Sequence, residues 1–202
     1  MVNILIKEND VLYRYGLSCI LTQAFIDEFS QPPDINFDYT PENIVQADII
    51  ILSMQPGEGF HCEPAFHMRT KGITVGLISD IERAPGVSPC INDIIVLPRN
   101  IALDRFSQIV YFAWKKERLM EEKKICSSCE ECPQRALSGK QHRIMDALYQ
   151  GKTALEIADE LKISDKTVYN HKYAVMRKFN LRTDFELVLF LNRWHDGLAR
   201  AC

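Results

Sequence analysis

The spacing of apolar residues changes character partway along the chain. In the first half, Asn3 to Lys7, Ala47 to Met54, Ile73 to Ile78 and Asp93 to Leu97 are short and rich in β-branched residues, which predicts strands. The stretches between them are long enough to recross a sheet. Val11 to Phe25 carries Leu12, Tyr15, Leu17 or Ile20, and Leu21 at near-helical intervals, and Ala102 to Met120 does the same through Leu103, Phe106, Ile109, Val110 and Ala113. Alternating strands and helices predict an α/β domain with a parallel sheet, both helices packing on it.

The second half keeps only the helical period. Ser138 followed by Gln141 is a capping pattern, and Ile144, Met145, Leu148 and Tyr149 then share one face until Gly151. Thr153 with Glu156 opens a second helix, to Leu161, which buries Leu155 or Ala154 together with Ile157, Ala158 and Leu161. Lys162-Ile163-Ser164 is a short turn. Ser164 or Asp165 caps a third helix that reaches about Phe179, its inner face formed by Val168, His171 or the Lys172 methylenes, Val175, Met176 and Phe179; a fourth runs from Thr183 to about Trp194. Two helices joined by so short a turn predict a helix-turn-helix. The expected fold is therefore α/β followed by an all-α four-helix domain, with boundaries at 1–120, a charged and Cys-rich linker at 121–136, and 137–202.

Charge separates the same two parts. The whole chain has a formal net charge of -3, yet residues 133–202 hold 12 Lys+Arg against 8 Asp+Glu, or +4, while residues 1–132 hold 12 against 19, or -7. Ser164 to Arg182 concentrates Lys166, Lys172, Arg177, Lys178 and Arg182 against the single acid Asp165, a balance suited to phosphate contact. Hydrophobic content of 47% and charged content of 25% exclude collagen-like and wholly disordered classes. No apolar run approaches the roughly 18 residues of a membrane-spanning helix, and Met1 to Glu8 lacks the basic, apolar and small-residue order of a secretion signal. A cytoplasmic protein without membrane attachment is expected. No nucleophile, base and orienting group stand in recognisable relation, so no enzyme is expected.

On the third helix Lys166, Tyr169, Asn170, Tyr173 and Arg177 recur every three or four residues and project from one side. A major groove admits such a helix, where Asn pairs with adenine and cations meet phosphates or guanine. Leu137-Ser138, Gly151-Lys152-Thr153, Glu156-Ile157-Ala158, Leu161, Ile163-Ser164, Lys166-Thr167-Val168, His171 and Lys178-Phe179 together resemble the LuxR/NarL-type DNA-binding domain. Tyr169-Asn170-His171-Lys172 resembles the Rcs-type and fimbrial regulators of enteric bacteria. The resemblance implies that Tyr169, Asn170 and Tyr173 face base edges of double-stranded DNA. It places Lys152, Ser164, Lys166, Thr167, Lys172, Arg177 and Lys178 on phosphates. Tyr169 and Tyr173 stand where Lys is frequent in that family, which shifts recognition from guanine towards stacking, methyl contact or shape. His171 is expected to pack and orient the helix. The fourth helix of this family commonly supplies a dimer surface, for which Phe185, Leu187, Val188, Leu189, Leu191 and Trp194 offer apolar area, so a homodimer, or a heterodimer with a related regulator, is expected.

Ile4 to Asp10 followed by Arg14-Tyr15-Gly16-Leu17 resembles the opening of response-regulator receiver domains. The resemblance implies an acid pair for a divalent cation, an Asp ending the third strand as phosphoacceptor, a Thr or Ser ending the fourth and a Lys ending the fifth. This chain keeps little of that, although Glu8 and Asp10 could hold Mg²⁺ through carboxylate oxygens and Ser79 supplies the fourth-strand hydroxyl if the register slips. Asn9 interrupts Glu8 and Asp10, Ser53 stands in place of the nucleophile with Pro56 one residue early, Leu77 or Ser79 falls at the fourth strand, and Leu97 ends the fifth. A hydroxyl without a neighbouring base does not readily form the acyl phosphate. The expected domain is a degenerate receiver acting in dimerisation or in partner or ligand control, while Asp48 and Asp93, at strand starts, read as solvated turn or edge residues.

Seven Cys without a secretion signal suit reduced thiols or metal ligands. Cys126, Cys129 and Cys132 form two overlapping C-x₂-C units before Pro133, a spacing able to chelate zinc or part of an iron–sulfur cluster. Cys62, Cys90, His142 or Cys202 would have to complete the set, and His61, Cys62 and His67 make a looser group. This cluster motivates a rival reading, a redox- or metal-sensing regulator; free linker thiols are the simpler use.

Overall fold

The computed structural model describes residues 1–55, 57, 64–79, 94–119 and 137–200. In chain order the elements are β1 (Asn3–Lys7), α1 (Val11–Phe29), β2 (Asp34–Asn36), α2 (Pro41–Gln46), β3 (Ile49–Met54), a 3₁₀ turn (Pro64–Met68), β4 (Ile73–Ile78), β5 (Ile95–Pro98), α3 (Leu103–Arg118), α4 (Gly139–Tyr149), α5 (Ala154–Leu161), α6 (Asp165–Lys178) and α7 (Asp184–Arg200).

Strand side chains alternate between faces, and here both faces are apolar because both are covered. Ile4, Ile6, Ile49, Ile51, Val75 and Leu77 meet Leu17, Leu21 and Phe25 of α1 and Phe106, Val110 and Trp114 of α3. Leu5, Ile50, Leu52, Met54 and Ile78 meet Ile44 of α2 and Phe66 of the 3₁₀ turn. All strand pairs are parallel and the order is β2-β1-β3-β4-β5. The fold reverses direction between β1 and β3, the place where open α/β sheets expose a crevice at the strands' carboxyl ends.

The sheet matches the expected α/β class, with differences of physical origin. β2 has three residues and α2 six, too few for a periodic signal. The visible cue was Thr40-Pro41: the Thr40 hydroxyl accepts the Asn43 N–H at 3.3 Å and Pro41 opens the helix. β3 begins at Ile49 because Ala47 still caps α2. α1 continues to Phe29 and stops at Ser30, whose φ is 54°. Asp48 is no solvated edge residue: its carboxylate accepts the Asn3 N–H at 2.8 Å and pairs with Lys71 at 2.8 Å, joining the starts of β1 and β3 to the turn before β4. Asp93 lies outside the described residues.

A third apolar cluster is built chiefly from helices, with Leu137 and Leu181 joining it from the adjoining turns. Val168, Val175, Met176 and Phe179 of the α6 segment pack with Ile144, Met145, Ile157, Leu187, Phe190, Leu191 and Trp194. α7 extends beyond the expected end at Trp194 to Arg200. Phe190, 2% exposed, was absent from the expected apolar set, whereas Phe185 and Val188 are 70% and 53% exposed. In α5, Ala154 packs against the core and Leu155 is exposed, which settles the alternative left by the period. No described helix is long and apolar enough to cross a membrane.

One glycine is required by close approach. Gly72 has φ 83°, and a Cβ there would collide with the Asp48 carbonyl, the acceptor of the Ile73 N–H at 3.0 Å. Gly72→Ala is expected to destabilise the sheet domain by about 1–3 kcal/mol. A urea titration followed by circular dichroism checks this; an unchanged midpoint would show that the turn adapts.

Candidate nucleic-acid interface

Local hydrogen bonding fixes the three helices that present the surface. At α4 the Ser138 hydroxyl accepts the Gln141 N–H at 3.3 Å and the Gln141 side chain accepts the Ser138 N–H at 2.9 Å. Thr153 and Glu156 repeat this box at α5, at 3.3 and 2.7 Å. Lys162 then takes a left-handed conformation, φ 52°, which ends α5 and turns the chain within one residue. Ser164 caps α6, accepting the Thr167 N–H at 3.2 Å, and the two hydroxyls lie 2.9 Å apart.

The two sides of α6 differ sharply. Val168, Val175, Met176 and Phe179 are at most 4% exposed, while Tyr169 is 44% and Tyr173 52% exposed. Lys166, Asn170 and Arg177 are exposed beside them, so the outward residues read from the sequence do share a solvent-facing side. The Tyr169 and Tyr173 rings lie nearly parallel, 23° apart, with centroids 6.4 Å apart. His171 is half-buried.

The cations are not equivalent. The Lys172 Nζ sits 2.8 Å from Asp184 at the start of α7, with its side chain only 12% exposed, and lies 6.0 and 5.8 Å from the centroids of Tyr169 and Tyr173. Lys152 pairs with Glu160 at 2.6 Å. Lys178 is half-buried. Asp184 was missed from sequence: an acid in a helix's first turn is ordinary, and nothing in the spacing announces its partner on α6.

Residues 135–191 match the family described as bacterial regulatory proteins, luxR family. The C-terminal domain is a LuxR-family helix-turn-helix domain. Within it, 53 residues are 42% identical to the HTH-type transcriptional regulator DctR of Escherichia coli strain K12; the match covers 26% of this chain and spans 30% of that relative's length. Among solved structures, RcsB from Salmonella enterica serovar Typhimurium bound to promoter P1flhDC superposes with a TM-score of 0.57 at 19% identity, over 94% of this chain and 97% of that one. A complex of the two-component response regulator RcsB with DNA gives 0.51 at 17% identity, over 95% and 98%. These likenesses show the fold: a receiver-type sheet domain followed by the LuxR-family domain.

The remaining sequence candidates fall elsewhere. Glu8, Asp10 and Ser53 gather at the carboxyl edge of the sheet, whereas Leu77 and Leu97 are core residues, 1% and 8% exposed. Arg99, which reaches Glu8 and Asp10 from the turn after β5, was missed because it follows the strand end by one residue. His142, considered as a metal ligand, packs edge-on against Trp194 at 5.5 Å. Cys126, Cys129 and Cys132, with His61, Cys62, Cys90 and Cys202, lie outside the described residues. Among the described residues no His, Cys, Asp and Glu side chains converge as a metal-binding group.

Glu156 titrates below its ordinary value, chiefly because the Thr153 N–H and then the Thr153 hydroxyl donate to its carboxylate. Its folded pKa is depressed, so its contribution is present above the unfolded pKa and lost as pH falls through the folded one. Glu156→Gln is expected to flatten the acid limb of the LuxR-family domain's stability against pH, and Thr153→Ala to cost about 1 kcal/mol near neutrality. Thermal unfolding across the acid range measures both; an unchanged acid limb in Glu156→Gln would refute the first.

Proposed function

We propose that this chain is a sequence-specific, DNA-binding transcription regulator of the Rcs and fimbrial subgroup, in which α6 enters the major groove. One observation carries the reading: Tyr169, Asn170 and Tyr173 face solvent on the side of α6 opposite its buried apolar residues. Asn170 reads a base edge, and the Tyr pair supplies stacking and methyl contact on either side of it. Lys166 and Arg177, at the two ends of the exposed face, meet phosphates together with Lys152, Ser164, Thr167, Lys172 and Lys178. The likeness to a transcriptional regulator and to promoter-bound RcsB supports this reading.

The sheet domain acts as a degenerate receiver in dimerisation or partner control. Ser53 at the end of β3 supports this, since a hydroxyl stands where the resemblance implies a carboxylate nucleophile. The regulator binds as a dimer, with itself or with a relative, and the exposed Phe185 and Val188, one turn apart on α7, supply apolar area for the contact.

Asn170→Ala is expected to cost about 1–3 kcal/mol on the preferred site and to relax sequence choice. Lys166→Ala should weaken all sequences alike and reduce the salt dependence by about one phosphate contact. Lys172→Ala also weakens all sites, with a smaller change in salt dependence because Asp184 shares its charge. Fluorescence anisotropy over a salt series, on sites recovered by genome-wide mapping, measures these effects. Equal relaxation of specificity by Asn170→Ala and Lys166→Ala would show that the wrong side of α6 has been assigned.

A further inference from the structure

We propose that Arg99 is an internal cation occupying the acid pocket at the carboxyl edge of the sheet, where it takes the place of a divalent ion and holds this edge in one arrangement without metal. The pocket lies at the reversal of strand order between β1 and β3, where folds of this kind bind their ligands. Glu8 follows β1, Ser53 lies in β3 and Arg99 follows β5, so three strand ends meet there.

Every carboxylate oxygen in the pocket already has a partner. Glu8 is 7% exposed; its Oε1 accepts the Asp10 N–H at 2.8 Å, and its Oε2 accepts the Ser53 hydroxyl and pairs with the Arg99 guanidinium at 2.7 Å. The Asp10 Oδ1 caps α1, accepting the Leu12 and Tyr13 N–H groups at 3.0 and 3.1 Å, while its Oδ2 lies 3.4 Å from Arg99. A divalent cation needs several oxygens at about 2.0–2.6 Å. To bind here it would have to displace the guanidinium from Glu8 Oε2 and Asp10 Oδ2, the oxygens left over from the backbone hydrogen bonds. The residues present therefore do not fit a metal.

Arg99 is also held from behind. Its N–H donates to the Ile78 carbonyl at 2.7 Å, its carbonyl accepts the Tyr13 hydroxyl at 2.8 Å, and its guanidinium lies 4.0 Å from the centre of the Tyr13 ring. Burial pushes the Tyr13 phenol up, against the lowering influence of Arg99, so the ring stays neutral at physiological pH. The planar fork spans two carboxylates at once, a geometry that an ammonium does not reproduce. One side chain thus ties β1, β3, the start of α1 and the turn after β5.

The inference concerns the sheet domain and stands whether or not the helical domain binds DNA, and its test uses no DNA. The full chain is titrated with Mg²⁺ by calorimetry and with Mn²⁺ by electron paramagnetic resonance, and thermal unfolding is recorded with and without Mg²⁺. Both are hard ions that prefer oxygen and compete poorly for thiolates. The unsubstituted chain is expected to take up neither ion and to show no Mg²⁺-dependent shift in Tm. Arg99→Ala should lower Tm by roughly 5–10 °C and gain binding of both ions, which a merely structural role would not produce. Arg99→Gln, which keeps the stem and a hydrogen-bonding head, is read the same way if the alanine variant does not fold. Metal uptake by the unsubstituted chain, an unchanged Tm in the variant, or a destabilised variant that gains no metal would each overturn the proposal.

Discussion

The rotation of α6 about its own axis is the constraint on which the proposed DNA-facing surface depends. Val168, Val175, Met176 and Phe179 are buried together, and each contributes about 1.5–3 kcal/mol by leaving water. Exposed polar contacts on the other side, at roughly 0–1 kcal/mol each, cannot compete. A rotation by one residue position would put Tyr169 where Val168 sits and Arg177 where Met176 sits, leaving buried polar groups without partners. The core therefore decides which side chains are offered to a ligand, although it touches none of them. The turn at Lys162 and the cap at Ser164 set where that face begins.

The sheet domain follows the same logic with charge in place of apolar area. Two carboxylates brought together at strand ends repel each other and require a cation. In this chain the fold supplies one from its own backbone turn, with the guanidinium seated against Tyr13. Ser53 fits this arrangement because its hydroxyl donates to Glu8, which an ionised Asp at the same place could not do. Of the departures read from the sequence, Ser53 thus belongs to one network with Glu8, Asp10 and Arg99, while Leu77 and Leu97 serve the apolar core.

Long, periodic or capped segments were legible. Asn3–Lys7 and Ile73–Ile78 coincide with their strands, and the capping residues Ser138, Thr153 and Ser164 mark the true starts of α4, α5 and α6. Short elements were not, because three residues of β2 and six of α2 cannot display a period. The outward face of α6 was legible because helical spacing alone puts its residues together. What escaped were contacts between distant elements. Arg99 meets Glu8, Asp184 meets Lys172 and His195 stacks on Tyr149 at 3.8 Å, and no local pattern couples any of these pairs.

The Lys172–Asp184 pair gives the α6 surface its internal division. Along the exposed side, Lys166 stands at one end and Arg177 at the other, with Tyr169, Asn170 and Tyr173 between. Lys172 lies under the two rings, and Asp184 offsets its charge, so the centre of the surface is aromatic and nearly neutral while its ends are cationic. Phosphate contacts fix position and supply affinity, whereas contacts at base edges discriminate. A neutral aromatic centre suits discrimination by stacking, methyl contact and one amide, because long-range attraction to any polyanion is weakest there. Asp184 belongs to α7, so the residue that offsets the Lys172 charge also ties the exposed side of α6 to the helix proposed for the dimer contact. A change at that helix would reach α6 by two routes, the ion pair at Lys172 and the apolar contacts of Leu187, Phe190, Leu191 and Trp194 with the buried side of α6.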